Sequence, residues 1–184
     1  MAGDDTRMDP LTRGLVLALP LAFLAHDIGE VRGNDDLNDA LVSIARDVPL
    51  LRRLGVERMA RRSVTTQRQM AVAVALLASA LTVVSVRAAA RPPRTAATGD
   101  FAVAAGFVGG HLAGHVVQSV MLRRAMPGLT GGLVVTVPYS AAVLLRLRRR
   151  GYLEGTTIAR DGAGLVAAFP LLAFGVRALA RRLA

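Results

Sequence analysis

The chain has 184 residues, 53% of them apolar, and a mean hydropathy of +0.44, more apolar than a water-soluble core of this size requires. All 23 of its basic residues are arginine, and against 13 acids they leave a net charge of +10, with 4% aromatics, no tryptophan and no cysteine. Disorder, collagen-like repeats, disulfide-stapled folds, thiolate catalysis and zinc–cysteine or iron–sulfur sites are excluded.

What remains is an all-α polytopic transmembrane bundle forming a single membrane domain. About 20 apolar residues cross a bilayer, so about five spans are expected, at 11–31, 70–90, 101–122, 129–145 and 163–179. Asp9 and Pro10 provide the N-cap and first helical residue of the first span, and Gly33-Asn34-Asp35-Asp36 ends it. Asp4, Asp5 and Asp9 precede that span, and Phe23 stands where a small cleavage residue would be needed, so it reads as a retained helix rather than a signal peptide.

The segment 32–69 is the longest polar stretch. Within it Leu41, Ile44, Ala45, Val48 and Leu51 recur at helical spacing. They predict an amphipathic helix, either lying in the membrane interface or packed over the end of the bundle. Arg91-Pro92-Pro93-Arg94 is a stiff turn, and the run Arg146 to Arg150 is a basic anchor. Pro20 and Pro138 are expected to kink spans one and four.

The arginines fall in short clusters between uncharged stretches, as juxtamembrane arginines do, and not along one aromatic-studded face. The expected partners are therefore the lipid bilayer and a lipophilic small molecule, not nucleic acid. The arginine-rich 32–69 loop favours a cytoplasmic place for itself. That gives an integral plasma-membrane protein with its N-terminus out and its C-terminus in.

All three histidines fall inside expected spans. His26 and Glu30 are four apart, as are His111 and His115, so each pair shares one helix face. Spans one and three run in the same direction. At ~1.5 Å per residue, His26 lies roughly 22 Å from the start of its helix, His111 roughly 15 Å and His115 roughly 21 Å. The three imidazoles thus reach similar depths, and Gln118, Thr136 and Tyr139 pass through nearby layers. Histidine and carboxylate are costly in hydrocarbon and mark functional sites. Packing glue between helices is the bland alternative.

The segment from Pro20 through His26-Asp-Ile-Gly-Glu30 resembles the start of the HXXEE-motif membrane proteins, a bacterial family. The stretch from His111 through His115 to Pro127-Gly128-Leu-Thr130 is similar to that family's second block. The resemblance runs from about Leu15 to Leu145 and implies a membrane location and a His/Glu site. Two positions depart from the pattern: Gly29 replaces the first motif glutamate, and Ala125 replaces a turn tyrosine.

Three functions are open at this point. The first is a membrane-embedded metalloenzyme acting on a lipid-soluble molecule by hydrolysis or oxidation. His26, His111, His115 and Glu30 would hold a divalent metal, zinc or iron, with Glu30 alternatively a general base. Asp27 or Gln118 would orient an imidazole, and Asp27 and Tyr139 complete the catalytic candidates. The second uses the same residues without metal as an acid–base isomerase or cyclase of a polyprenyl, sterol-like or polyketide skeleton. The third is a small transporter or assembly factor. Arg177 is expected to snorkel to the headgroups or to pair with Glu30 or Asp27.

Overall fold

The computed structural model describes residues 7–153, 175, 176 and 178–184. Among the described residues every regular element is helical. The first span is α1 (Pro10–Leu17) followed by α2 (Leu19–Arg32). Asp9 caps it as expected, its carboxylate accepting from the Thr12 N–H at 3.1 Å and the Thr12 hydroxyl at 2.6 Å. Pro20 has no N–H for the Val16 carbonyl, and its ring crowds that oxygen. The helix accordingly breaks at Ala18, whose N–H is shared between the Gly14 and Leu15 carbonyls at 3.1 and 3.2 Å.

The polar segment folds into α3 (Asn34–Asp47), α4 (Pro49–Arg53) and α5 (Val56–Arg62). One expectation is corrected here: the apolar row from Leu41 to Leu51 does not lie on a single helix. Pro49 bars the residue before it from the helical region, Val48 is extended at φ −84° and ψ 113°, and Leu51 starts anew in α4. The helix also begins earlier than its apolar residues suggest, one residue after Gly33. Of the two placements open for it, the structure shows packing over the bundle: α3 rests against α5 and α7. Asn34 and Asn38 both donate to the Thr65 carbonyl, at 2.7 and 2.8 Å, and the Thr65 hydroxyl donates to Asn34 at 3.1 Å.

The second span is α6 (Gln67–Ala90), opened by a reciprocal cap in which Thr66 accepts from the Gln69 N–H and Gln69 from the Thr66 N–H. Pro92 stops it by holding Arg91 extended. The third, α7 (Ala96–Leu122), starts five residues before the expected boundary. Ala97, Thr98 and Gly99 are buried, and Asp100 is exposed in the first turns, where a negative charge suits the helix dipole. The fourth is α8 (Leu129–Gly131), a π-helical turn over Gly132–Thr136, and α9 (Val137–Arg149). The wide turn closes when the Val137 N–H reaches the Gly132 carbonyl, immediately before Pro138, whose ring would crowd an ordinary α-turn.

Four helices are long and apolar enough to cross a membrane: Pro10–Arg32, Gln67–Ala90, Ala96–Leu122 and Leu129–Arg149. Only 22–39% of each apolar window is buried inside the bundle. Leu21, Val83, Val120 and Val134 point outward. An apolar outer surface of that extent needs lipid against it, and the chain is a membrane protein. The expected fifth span, 163–179, lies outside the described residues apart from 175, 176, 178 and 179, and Arg177 lies outside them as well.

Inside, α2 packs on α6, and α7 lies between α6 and α9. Val16, Leu19, Phe101, Val143 and Leu147 are fully buried between them. The α1 and α9 ends are clasped by Arg146, which donates to Thr12 Oγ1 and Asp9 Oδ1, both at 2.7 Å. Arg150 lies 3.6 Å from the other Asp9 oxygen.

Candidate metal centre

The functional side chains come from α2 and α7, held at one level because the first and third spans run in parallel. His26 and Glu30 occupy successive turns of α2, and His111 and His115 successive turns of α7. The imidazole of His26 lies edge-on to His111 and His115, with ring centroids 5.5 and 4.9 Å away, and the latter two are 4.8 Å apart. His26 is 1% exposed, His115 4% and Glu30 8%. His111, half-buried, stacks on Phe107 at 6.2 Å.

The three Nε2 atoms converge on one carboxylate oxygen. Glu30 Oε1 is 2.6 Å from His115 Nε2, 3.1 Å from His26 Nε2 and 3.2 Å from His111 Nε2. The Nε2 atoms of His111 and His115 are themselves 3.1 Å apart. One ligand atom from each of the four residues lies within 4.8 Å of the others. Four ligands ~2.0–2.1 Å from a tetrahedral ion stand roughly 3.3 Å from one another; four of the separations here are 2.6–3.2 Å and the others lie within 4.8 Å.

The fourth span fixes His26. Its Nδ1 is 2.8 Å from the Gly128 carbonyl, which can only accept, so Nδ1 carries the proton. In a neutral imidazole the lone pair then belongs to Nε2, the atom facing Glu30, and that atom is buried with no hydrogen-bond partner among the described residues. Gly128 has φ +83°, a conformation that disfavours any side chain. A Cβ there would also stand 2.8 Å from His26 Cε1.

Glycines let the fourth span approach α2 this closely. A Cβ on Gly132 would meet Leu112 and His26, and one on Gly131 the Ala25 carbonyl at 2.5 Å. A Cβ on Gly29 would stand 2.9 Å from the backbone of Gly128. The glutamate of the family motif has no room at this position unless the Pro127-Gly128 turn moves. Thr136, in the π-helical turn, donates to the Ala22 carbonyl at 3.0 Å, one turn before His26.

Residues 17–143 match the model of a family described as proteins of unknown function with an HXXEE motif. The chain belongs to this family. In this HXXEE protein the motif is carried by His26 and Glu30, with Gly29 in place of the first glutamate. No curated protein and no solved structure matches the chain.

The structure brings together His26, Glu30, His111 and His115, places Asp27 next to them, and leaves Tyr139 and Gln118 apart. Asp27 is buried beside the cluster, its Oδ1 3.8 Å from His26 Nε2 and its Oδ2 without a partner among the described residues. The Tyr139 hydroxyl donates to the Leu15 carbonyl at 2.6 Å, at the Pro20 break. Eleven residues of helix, roughly 16 Å, separate Leu15 from His26. Gln118 is half-buried a turn beyond His115 and hydrogen-bonds no imidazole among the described residues. Sequence reasoning missed the orienting role of the Gly128 carbonyl. The Pro127-Gly128 pair signalled a turn, but not that its oxygen would meet a side chain 102 residues away.

Proposed function

We propose that this HXXEE protein is a membrane-embedded, metal-dependent enzyme acting on a lipid-soluble small molecule by hydrolysis or oxidation. One observation carries the reading: three Nε2 atoms lie within 3.2 Å of a single carboxylate oxygen. One such oxygen has two lone pairs and cannot accept three N–H bonds well. With His26 protonated at Nδ1, a lone pair of its Nε2 would face an anion. These are alternative protonation states, and a divalent cation held by His26, His111, His115 and Glu30 relieves the conflict in either one; this donor set suits zinc or iron.

When bound, the ion would supply Lewis-acid polarisation of a substrate oxygen or, as iron, redox chemistry. The Gly128 carbonyl holds the His26 ring in its ligating orientation, the task that partners of metal-bound histidines perform. Glu30 directs one oxygen at the three imidazoles. Asp27, with an uncommitted buried oxygen beside His26, is the proposed proton acceptor. The apolar outer surface supports a substrate that arrives through lipid. The arginine-rich 32–69 segment supports a plasma-membrane orientation with that segment in the cytoplasm.

Elemental analysis of the detergent-purified protein tests the reading. Zinc or iron is expected at near-unit stoichiometry and is expected to be lost in H26A, H111A and H115A. Variants that remain folded and keep the metal of the parent would overturn it. If the parent itself holds no zinc or iron after reconstitution with either ion, an acid–base isomerase or cyclase using the same groups replaces it.

A further inference from the structure

At the end of the bundle remote from the histidines, where α1 begins and α6 ends, the structure contains a cavity of about 560 Å³. That is within the ~300–1,000 Å³ typical of small-molecule sites. Its polar lining is three arginines, Arg7, Arg13 and Arg91, and its apolar lining includes Met8, Ala89 and Ala90. Among the described residues no carboxylate pairs with these arginines. Asp9, which caps α1, is committed to Thr12, Arg146 and Arg150.

Three guanidinium groups around one concavity therefore have no carboxylate partner among the described residues, at the level where spans end and headgroups begin. Guanidinium forks match phosphate oxygens in pairs, and the apolar lining suits the glycerol and first methylenes that adjoin a lipid phosphate. We propose that this cavity is a binding site for the phosphate-ester headgroup of an anionic lipid. It uses no residue of the histidine cluster, so it stands whether or not that cluster holds metal.

The test is native mass spectrometry of the full chain in detergent, titrated with phosphatidylglycerol, phosphatidylcholine or glycerol 3-phosphate. Phosphatidylglycerol is expected to bind more tightly than phosphatidylcholine. Removing arginines by R13Q and R91Q is expected to weaken it about fivefold each. Arg149→Gln removes the same charge from an exposed site at the same end and is expected to change binding little. Ala90→Met leaves every arginine in place, fills the cavity and is expected to weaken binding too, which guards against variants lost to misfolding. Equal binding of the two lipids, an equal loss in Arg149→Gln, or unchanged binding in Ala90→Met would each overturn the site. Weak competition by glycerol 3-phosphate supports a lipid ligand. Competition at the concentration of the lipid overturns that part and assigns the cavity to a soluble phosphate ester.

Discussion

A single proton on His26 governs what the cluster can do. The Gly128 carbonyl holds it on Nδ1, and that carbonyl is in place because residue 128 adopts a left-handed conformation against the imidazole. Gly128→Ala is therefore expected to cost ~1–3 kcal/mol of stability and to weaken metal retention about 10–100-fold. Thermal unfolding and metal titration of the variant measure the two effects. Gly29→Glu restores the family motif but forces a side chain into the backbone of the Pro127-Gly128 turn. It is expected to unfold more easily by ~1–3 kcal/mol and to lose metal. A variant as stable as the parent would show that the turn yields freely.

At this scale the sequence was informative about which side chains meet and silent about what supports them. Helical spacing placed His26 with Glu30 and His111 with His115, and rise per residue matched the depths of the two helices. Tyr139 shows where depth reasoning ends: a shared layer does not specify a partner, and its hydroxyl went to the Leu15 carbonyl beside the helix break at Ala18.

Between elements, the fourth span is shaped around α2. Its glycines allow contact, its π-helical turn widens ahead of Pro138, and Thr136 ties that turn to the Ala22 carbonyl. Thr136→Val keeps the volume and removes a buried donor, so a loss of ~1 kcal/mol is expected in unfolding measurements. No loss would mean that glycine packing alone positions the turn. Pro138 announced an irregularity here but not its form, because a proline can break, kink or widen a helix according to what packs beside it. Pro49 acted more simply: it ended α3 at Val48 and divided an apolar row that spacing alone made continuous.

For the molecule as a whole, the expectation of a membrane bundle holds because it rests on hydropathy over long windows, which no local turn can overturn. The exposed valines and leucines of the spans give it physical content. At the span ends, the clasp of Asp9, just outside the first span, with Thr12 and Arg146 closes the first span onto the fourth. The Thr12 hydroxyl bond, followed by the pair with Arg146, holds the Asp9 carboxyl well below its ordinary value of 3.8, against the cost of desolvation. A lowered folded value means that the contribution is present above the unfolded value and lost as pH falls beneath it. Asp9→Asn is expected to be ~1–2 kcal/mol less stable than the parent near neutrality. That difference should shrink below about pH 4. A difference independent of pH down to the acid limit would show that the carboxylate charge contributes nothing.

Three imidazoles and one glutamate from two parallel helices are proposed to hold a single ion. X-ray absorption spectroscopy of the zinc- or iron-loaded protein measures it most directly. About three imidazole nitrogens at ~2.0–2.1 Å with one carboxylate oxygen are expected, with imidazole scattering reduced in H115A. A first shell made mainly of water oxygens, or a spectrum unaltered by that substitution, would contradict it.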